Sequence, residues 1–159
     1  MPNIFIGADH RGYEVKNHLV SLLSDEKYQV EDLGPEALDP GDDYNDVAVR
    51  VAQAVLDHTG SYGILICGSA HGIAMQANRF RGIRAIAAYT PHLAKIGREH
   101  NDANVLCLSA DFTAMHDIDK IAEIFLNTDF TGEERHIRRI KKLDNIDKTK
   151  SNNNDEELS

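Results

Sequence analysis

The chain has no tryptophan, only two cysteines and four prolines, and 6% aromatic residues in 159 positions. Two cysteines, Cys67 and Cys107, cannot build a disulfide scaffold. Both lie in apolar runs, so free thiols are expected. The apolar runs reach only about six residues before Gly or a polar group interrupts them, too short for a membrane span. The opening "MPNIFIGADH" lacks the basic and long apolar regions of a signal peptide, which places the protein in the cytoplasm by expectation. Positive charge is scarce too. With 17 Lys and Arg against 26 Asp and Glu, the formal charge of −9 disfavours nucleic-acid binding, which requires a positive patch. The one basic cluster, "RHIRRIKK" (Arg135 to Lys142), reads first as a solvated helix face balanced by Glu133 and Glu134.

What is present is alternation. Short apolar runs, Asn3–Ala8, Tyr28–Leu33, Tyr62–Cys67, Arg84–Tyr89 and Asn104–Ser109, alternate with helix-period stretches such as Val15, Leu19, Leu22, Leu23 and Ile118, Ile121, Ala122, Phe125. All but the second run are almost continuously apolar, as strands covered on both faces are. Five strand–helix repeats predict an α/β protein, a Rossmann-like three-layer α/β/α sandwich on a five-stranded parallel sheet. A further helix is expected over Glu133–Ile146. The whole is one domain, 1–146, with a polar tail at 147–159 expected to be disordered. A long Pro/Gly/Asp segment, Gly34–Asp46, reads as a functional loop.

Open parallel sheets bind ligands beyond the carboxyl ends of their strands. The first strand leads to Asp9 and His10, the second to the loop ending at Tyr44, and the third to "CGSAHG". Cys67 is either a buried structural thiol or a nucleophile or base whose pKa the following helix N-terminus, expected near Gly72, would lower. Gly68, Ser69, Ala70 and Gly72 are small enough for backbone N–H groups to close on an anion. The loop is neither a phosphate-binding Walker loop nor GxGxxG, which weakens a nucleotide-binding reading. Each neighbour has a structural alternative. Asp9 could cap a helix, Tyr44 pack on its loop, and His71 be a surface residue, a substrate contact or a metal ligand. His100 could end its helix, and Arg135 and Arg139, four apart, could bind phosphate or pair with Glu. An acid, a base, an oxyanion cradle and an arginine clamp together suggest proton transfer on a phosphorylated carbonyl compound.

The blocks "IFIGADHRGYEVKNHL", "DYNDVA", "GILICGSAHGIAMQANRFRGIRA", "REHNDANVL" and "RHIRRI" resemble, in order, those of the type B ribose-5-phosphate isomerase family, which includes galactose-6-phosphate isomerase subunits. The likeness runs from about Ile4 to Leu143. It implies an aldose–ketose isomerase without metal or other cofactor, interconverting ribose 5-phosphate and ribulose 5-phosphate through a cis-enediolate. It also implies a homodimer or homotetramer whose active sites use both chains of a dimer. Position by position, Cys67 falls on the base and His100 on the ring-opening acid. Ser69 and the Gly68–Gly72 backbone fall on the enediolate-stabilising loop, and Asn101 on a polar contact. Asp9, His10 and Tyr44 match substrate contacts, and Arg135 and Arg139 match phosphate contacts.

The chain departs from the usual family pattern at positions 70, 71 and 111, and carries Ser69 where threonine is usual. Ala70 replaces a usual glycine, and His71 a usual aliphatic residue. Ile73 stands where another branch of the family carries a glutamate base. Asp111 stands where an arginine commonly follows the fifth strand, so one phosphate contact is missing or replaced, with His71 a candidate substitute. These departures leave open isomerases of galactose-6-, allose-6- or tetrose phosphates, and a non-catalytic sugar-phosphate-binding subunit.

Overall fold

The computed structural model describes residues 1–146; the tail expected to be disordered lies outside them. Five strands, β1 (Asn3–Ala8), β2 (Gln29–Asp32), β3 (Tyr62–Cys67), β4 (Ala85–Ala87) and β5 (Val105–Ser109), form one parallel sheet in the order β2-β1-β3-β5-β4. This is the predicted α/β sandwich. Six helices connect and flank the strands: α1 (Tyr13–Asp25), α2 (Tyr44–Asp57), α3 (His71–Ala77), α4 (Pro91–Asn101), α5 (Met115–Asn127) and α6 (Glu134–Leu143). None is long and apolar enough to cross a membrane.

Strand alternation sorts the core into two layers, because successive side chains leave opposite faces of a strand. Ile4, Ile6, Ile64, Ile66, Leu106 and Leu108 face α1, α4 and α5, whose Leu19, Ala94, Ile121 and Phe125 are fully buried. Phe5, Leu65, Cys67, Val105 and Cys107 face the other way, onto Val47, Val51 and Val55 of α2 and Ile73 and Ala77 of α3. Cys67 therefore ends its strand under the N-terminus of α3.

The edge strands differ from expectation in extent. β4 keeps three of the six expected residues, and β2 four, with Gln29, Glu31 and Asp32 exposed. Both have a hydrogen-bonded neighbour on one side only, so pairing ends sooner there than in the interior. The last helix likewise stops at Leu143 rather than Ile146.

Candidate active site

The loops at the carboxyl ends of β1, β3 and β5 are laced together. Asp9 N–H donates to the Ile66 carbonyl at 3.1 Å, Ala110 N–H to Cys67 O at 2.9 Å, and Asp111 N–H to Gly68 O at 3.1 Å. The Ser109 hydroxyl adds a bond to the same Gly68 oxygen at 2.6 Å. Cys67 lies at the centre with 4% of its surface exposed. Its Sγ accepts the Ala70 N–H at 3.2 Å. Burial raises the thiol above its ordinary pKa, while N–H groups of Ile73, Ala70 and Ser69 pull it down and Asp9 pushes it up. The expected lowering by the helix N-terminus is present in those N–H groups but is outweighed by desolvation. Cys107, wholly buried beneath, is driven further up and has no donors of this kind.

Around Cys67 stand several of the expected residues. Asp9 accepts the N–H groups of Arg11 at 3.0 Å and Gly12 at 3.1 Å, yet burial holds its carboxyl above the usual range. The capping role and the site position therefore coincide in one residue. His10 is fastened to the long loop: its backbone N–H and its Nδ1 both meet Oδ1 of Asp42, at 3.0 and 2.8 Å. Tyr44 opens α2 with its ring against Gly72, where an added Cβ would lie 2.6 Å from Tyr44 Cζ. Ser69 Oγ accepts the His71 N–H at 3.3 Å, and its carbonyl accepts the Tyr89 hydroxyl. Ala70 is fully buried with φ 71°, ψ −8°, a left-handed conformation that suits glycine better than alanine. His71 is exposed, its ring edge-on to Tyr89 at 6.2 Å.

His100, Asn101, Arg135 and Arg139 are not among them. The residues after α4 lead into the amino end of β5, where Gly63 N–H donates to Asn104 O at 2.9 Å. The register pairs Gly63 with Val105 and Cys67 with Ser109, so roughly 13 Å of strand separates the two ends. At the amino end, His100 stacks on His136 of α6 at 4.5 Å and 15°. Thr131 ties the start of this segment to α4 through two bonds to Glu99 O, 3.3 Å from its N–H and 3.0 Å from its hydroxyl. His100, Asn101, His136 and Arg139 line a cleft of about 210 Å³, while Arg135 pairs with Glu133 at 3.1 Å. The candidate residues thus fall in two groups at opposite ends of the sheet, one rich in acids and one in bases.

The convergence read from the residues alone is therefore not realised within one chain, whereas the resemblance implied a site built from two. Sequence reasoning also passed over three residues that border these two groups. Asp42 and Arg11 offered no local signal; His136 sat inside the quoted basic cluster. His136 is 5% exposed, and its Nε2 has no hydrogen-bond partner among the described residues. Burial lowers its pKa, with His100, Arg135 and Arg139 adding to the effect and Glu133 opposing it. No group of three or more His, Cys, Asp or Glu among the described residues is placed to hold a metal ion.

A family model described as Ribose/Galactose Isomerase matches residues 4–143. The chain belongs to the ribose/galactose isomerase family. The isomerase is 44% identical over 140 residues to a probable ribose-5-phosphate isomerase B of Mycoplasma pneumoniae, covering 88% of this chain and 91% of that one. It is 36% identical over 140 residues to a putative sugar phosphate isomerase of Bacillus subtilis, covering 88% and 93%. Among solved structures, ribose-5-phosphate isomerase B from Mycoplasma genitalium with bound ribulose-5-phosphate superposes with a TM-score of 0.86 at 40% identity, covering 92% of this chain and 96% of that one. The α/β fold of the chain agrees with that solved relative over 92% of its length.

Proposed function

We propose that the protein interconverts D-ribose 5-phosphate and D-ribulose 5-phosphate, and that each active site combines the carboxyl-end half-site of one chain with the amino-end half-site of a second copy. The observation that carries the chemistry is Cys67 on the floor of a loop whose N–H groups converge on its sulfur. The family and the relative that binds ribulose-5-phosphate support the substrate.

In this mechanism His100 of the partner opens the furanose ring by protonating the ring oxygen. Cys67, as thiolate, removes the proton from C2 of the open aldose, and the electron pair moves toward the C1 carbonyl to give a cis-enediolate. The oxyanion is met by the small-residue loop from Gly68 to Gly72, with Ser69 beside it, because developing negative charge there finds fixed N–H dipoles. Cys67 then returns its proton to C1 while the proton on the C2 oxygen passes to the C1 oxygen, leaving the ketone at C2. Asp9, His10 and Tyr44 contact sugar hydroxyls. Asn101 adds a polar contact from the amino-end half-site, and Arg135 and Arg139 hold the phosphate there.

The separation of His100 from Cys67 supports the two-chain site, since no rotamer spans such a distance. Charge does too: acidic loops on one end and the basic face of α6 on the other are complementary between copies. Exposed Phe112 at 76% and Met75 at 67% offer apolar surface for such a contact. Asp111 favours a second reading, an isomerase for a sugar phosphate of another length, since it alters the mouth of the pocket. A non-catalytic subunit fits less well, because Cys67, Ser69 and His100 are all retained. The test is turnover on a panel of four- to six-carbon aldose phosphates by wild type and Cys67→Ala. Ribose 5-phosphate should be preferred and the variant inactive; an active variant removes Cys67 from the mechanism.

A further inference from the structure

One cation at the carboxyl-end half-site has no part in the reaction as written above. Arg11 leaves the turn after β1 and reaches across the mouth to Asp111, Nη1 to Oδ2 at 3.1 Å. The two side chains sit directly over Gly68. A Cβ added at Gly68 would meet Asp111 Oδ2 at 2.8 Å and Arg11 Cδ at 2.9 Å. The guanidinium therefore stands beside the peptide that follows Cys67, and glycine at 68 makes the room for it.

The electrostatic setting makes this position consequential. In the segments joining each strand to its following helix, Arg11 is the single Lys or Arg, against Asp9, Glu36, Asp39, Asp42, Asp43 and Asp111. A phosphorylated substrate approaching Cys67 brings a dianion to a surface that would otherwise repel it. Arg11 is 60% exposed and Asp111 38% on their side chains. An exposed pair of this kind holds its partners weakly. The pair can therefore open at little cost. Beyond the contact with Asp111, the side chain of Arg11 makes no hydrogen bond to described residues, so its remaining N–H groups are available for a forked contact to phosphate oxygens. His71, the expected substitute, instead lies exposed against Tyr89.

We propose that Arg11, parked on Asp111 over Gly68, binds the phosphate of the substrate at the mouth of the Cys67 half-site, with Asp111 as the counter-charge it leaves on binding. This rests on the sugar-phosphate reading above. Positive charge that the family resemblance places on the fifth loop is supplied here from the first, and Asp111 tempers its affinity. The resting pair also neutralises the guanidinium, so that in the absence of substrate the mouth holds other anions only weakly.

The test is calorimetric titration of inorganic phosphate into the full-length protein, alongside KM and kcat for ribose 5-phosphate. Arg11→Ala should weaken phosphate binding about ten-fold or more and raise KM far more than it lowers kcat. Arg11→Lys should recover part of the loss. Asp111→Asn, which frees the guanidinium, should tighten binding, and the double variant should behave like Arg11→Ala. If Arg11→Ala folds poorly, Gly68→Ala, which pushes both side chains off the loop, should weaken phosphate binding in its place. Wild-type affinity in Arg11→Ala or in Gly68→Ala, weaker binding in Asp111→Asn, or no phosphate binding by wild type overturns the proposal. Phosphate binding that depends on Arg11 in a protein without turnover refutes the isomerase reading alone. Turnover with an unmoved KM in Arg11→Ala refutes the Arg11 role alone.

Discussion

At the scale of single residues, Cys67 illustrates two opposed effects on one atom. Converging N–H groups favour the thiolate and burial disfavours it, with burial ahead. A base of this kind works only when deprotonated, so kcat/KM should keep rising with pH through and beyond the ordinary thiol range of about 8.5. A profile already flat at neutral pH would point to another base. Ala70 is a second case. Its left-handed backbone costs about 1–2 kcal/mol for an alanine, against roughly 0.5–1 kcal/mol of chain entropy that glycine would forfeit on folding. Ala70→Gly should therefore stabilise the protein by about 0.5–1 kcal/mol in denaturant melts; a loss of stability would show that the methyl's packing matters more. The sequence placed Cys67 at the end of the third strand and Ala70 on the loop that follows it. It could not show the burial that reverses the thiol shift, because much of the surrounding layer comes from segments distant in the chain, Val47 and Val51 of α2 and Val105 of β5 among them.

At the scale of elements, α6 buries a histidine within a cluster that charge counting assigned to solvent. Its His136 stacks on His100 of α4, and burial together with His100, Arg135 and Arg139 lowers its pKa. In the unfolded chain a histidine titrates near 6.5, and the folded value is lower. Folding is thus favoured fully above the unfolded value, and this contribution is lost as pH falls through the lower folded one. Thermal melts should show stability declining as pH drops below about 6.5, and His136→Asn should flatten that decline. An unchanged slope would mean that other groups drive it. The interior strands were readable because burial on both faces leaves near-continuous apolar runs. The edge strands were readable in place but not in extent: β2 puts Glu31 and Asp32 into solvent, and β4 is only three residues long.

For the whole molecule, the parallel topology has a consequence that local motifs conceal. A helix returning between parallel strands ends at their amino side, so His100 and Asn101, which close α4, must lie opposite the loop that closes β3. The order of elements contained this, but grouping residues by chemistry obscured it. If two copies complete each other's sites, Cys67→Ala and His100→Asn chains are each inactive alone. Mixed after reversible dissociation, half of the dimers are hybrids with one intact site, so activity should return to about a quarter of wild type. Failure to recover any activity from subunits shown to exchange would rule out the shared site. Arg11 and Asp111, 100 positions apart, belong to this scale as well; no spacing rule foretells their meeting.

The twofold grip on the Gly68 carbonyl, by the Ser109 hydroxyl and the Asp111 N–H, also constrains atoms it never touches. A trans amide is a rigid plate whose oxygen and hydrogen point in opposite directions. Anchoring the oxygen toward β5 turns the hydrogen on the same plate, the N–H of Ser69, back toward the sulfur of Cys67, where it is one of the donors that draw the thiol down. The fifth strand thereby aims a dipole into a pocket that its own side chains do not line, and the aim is set before any ligand arrives.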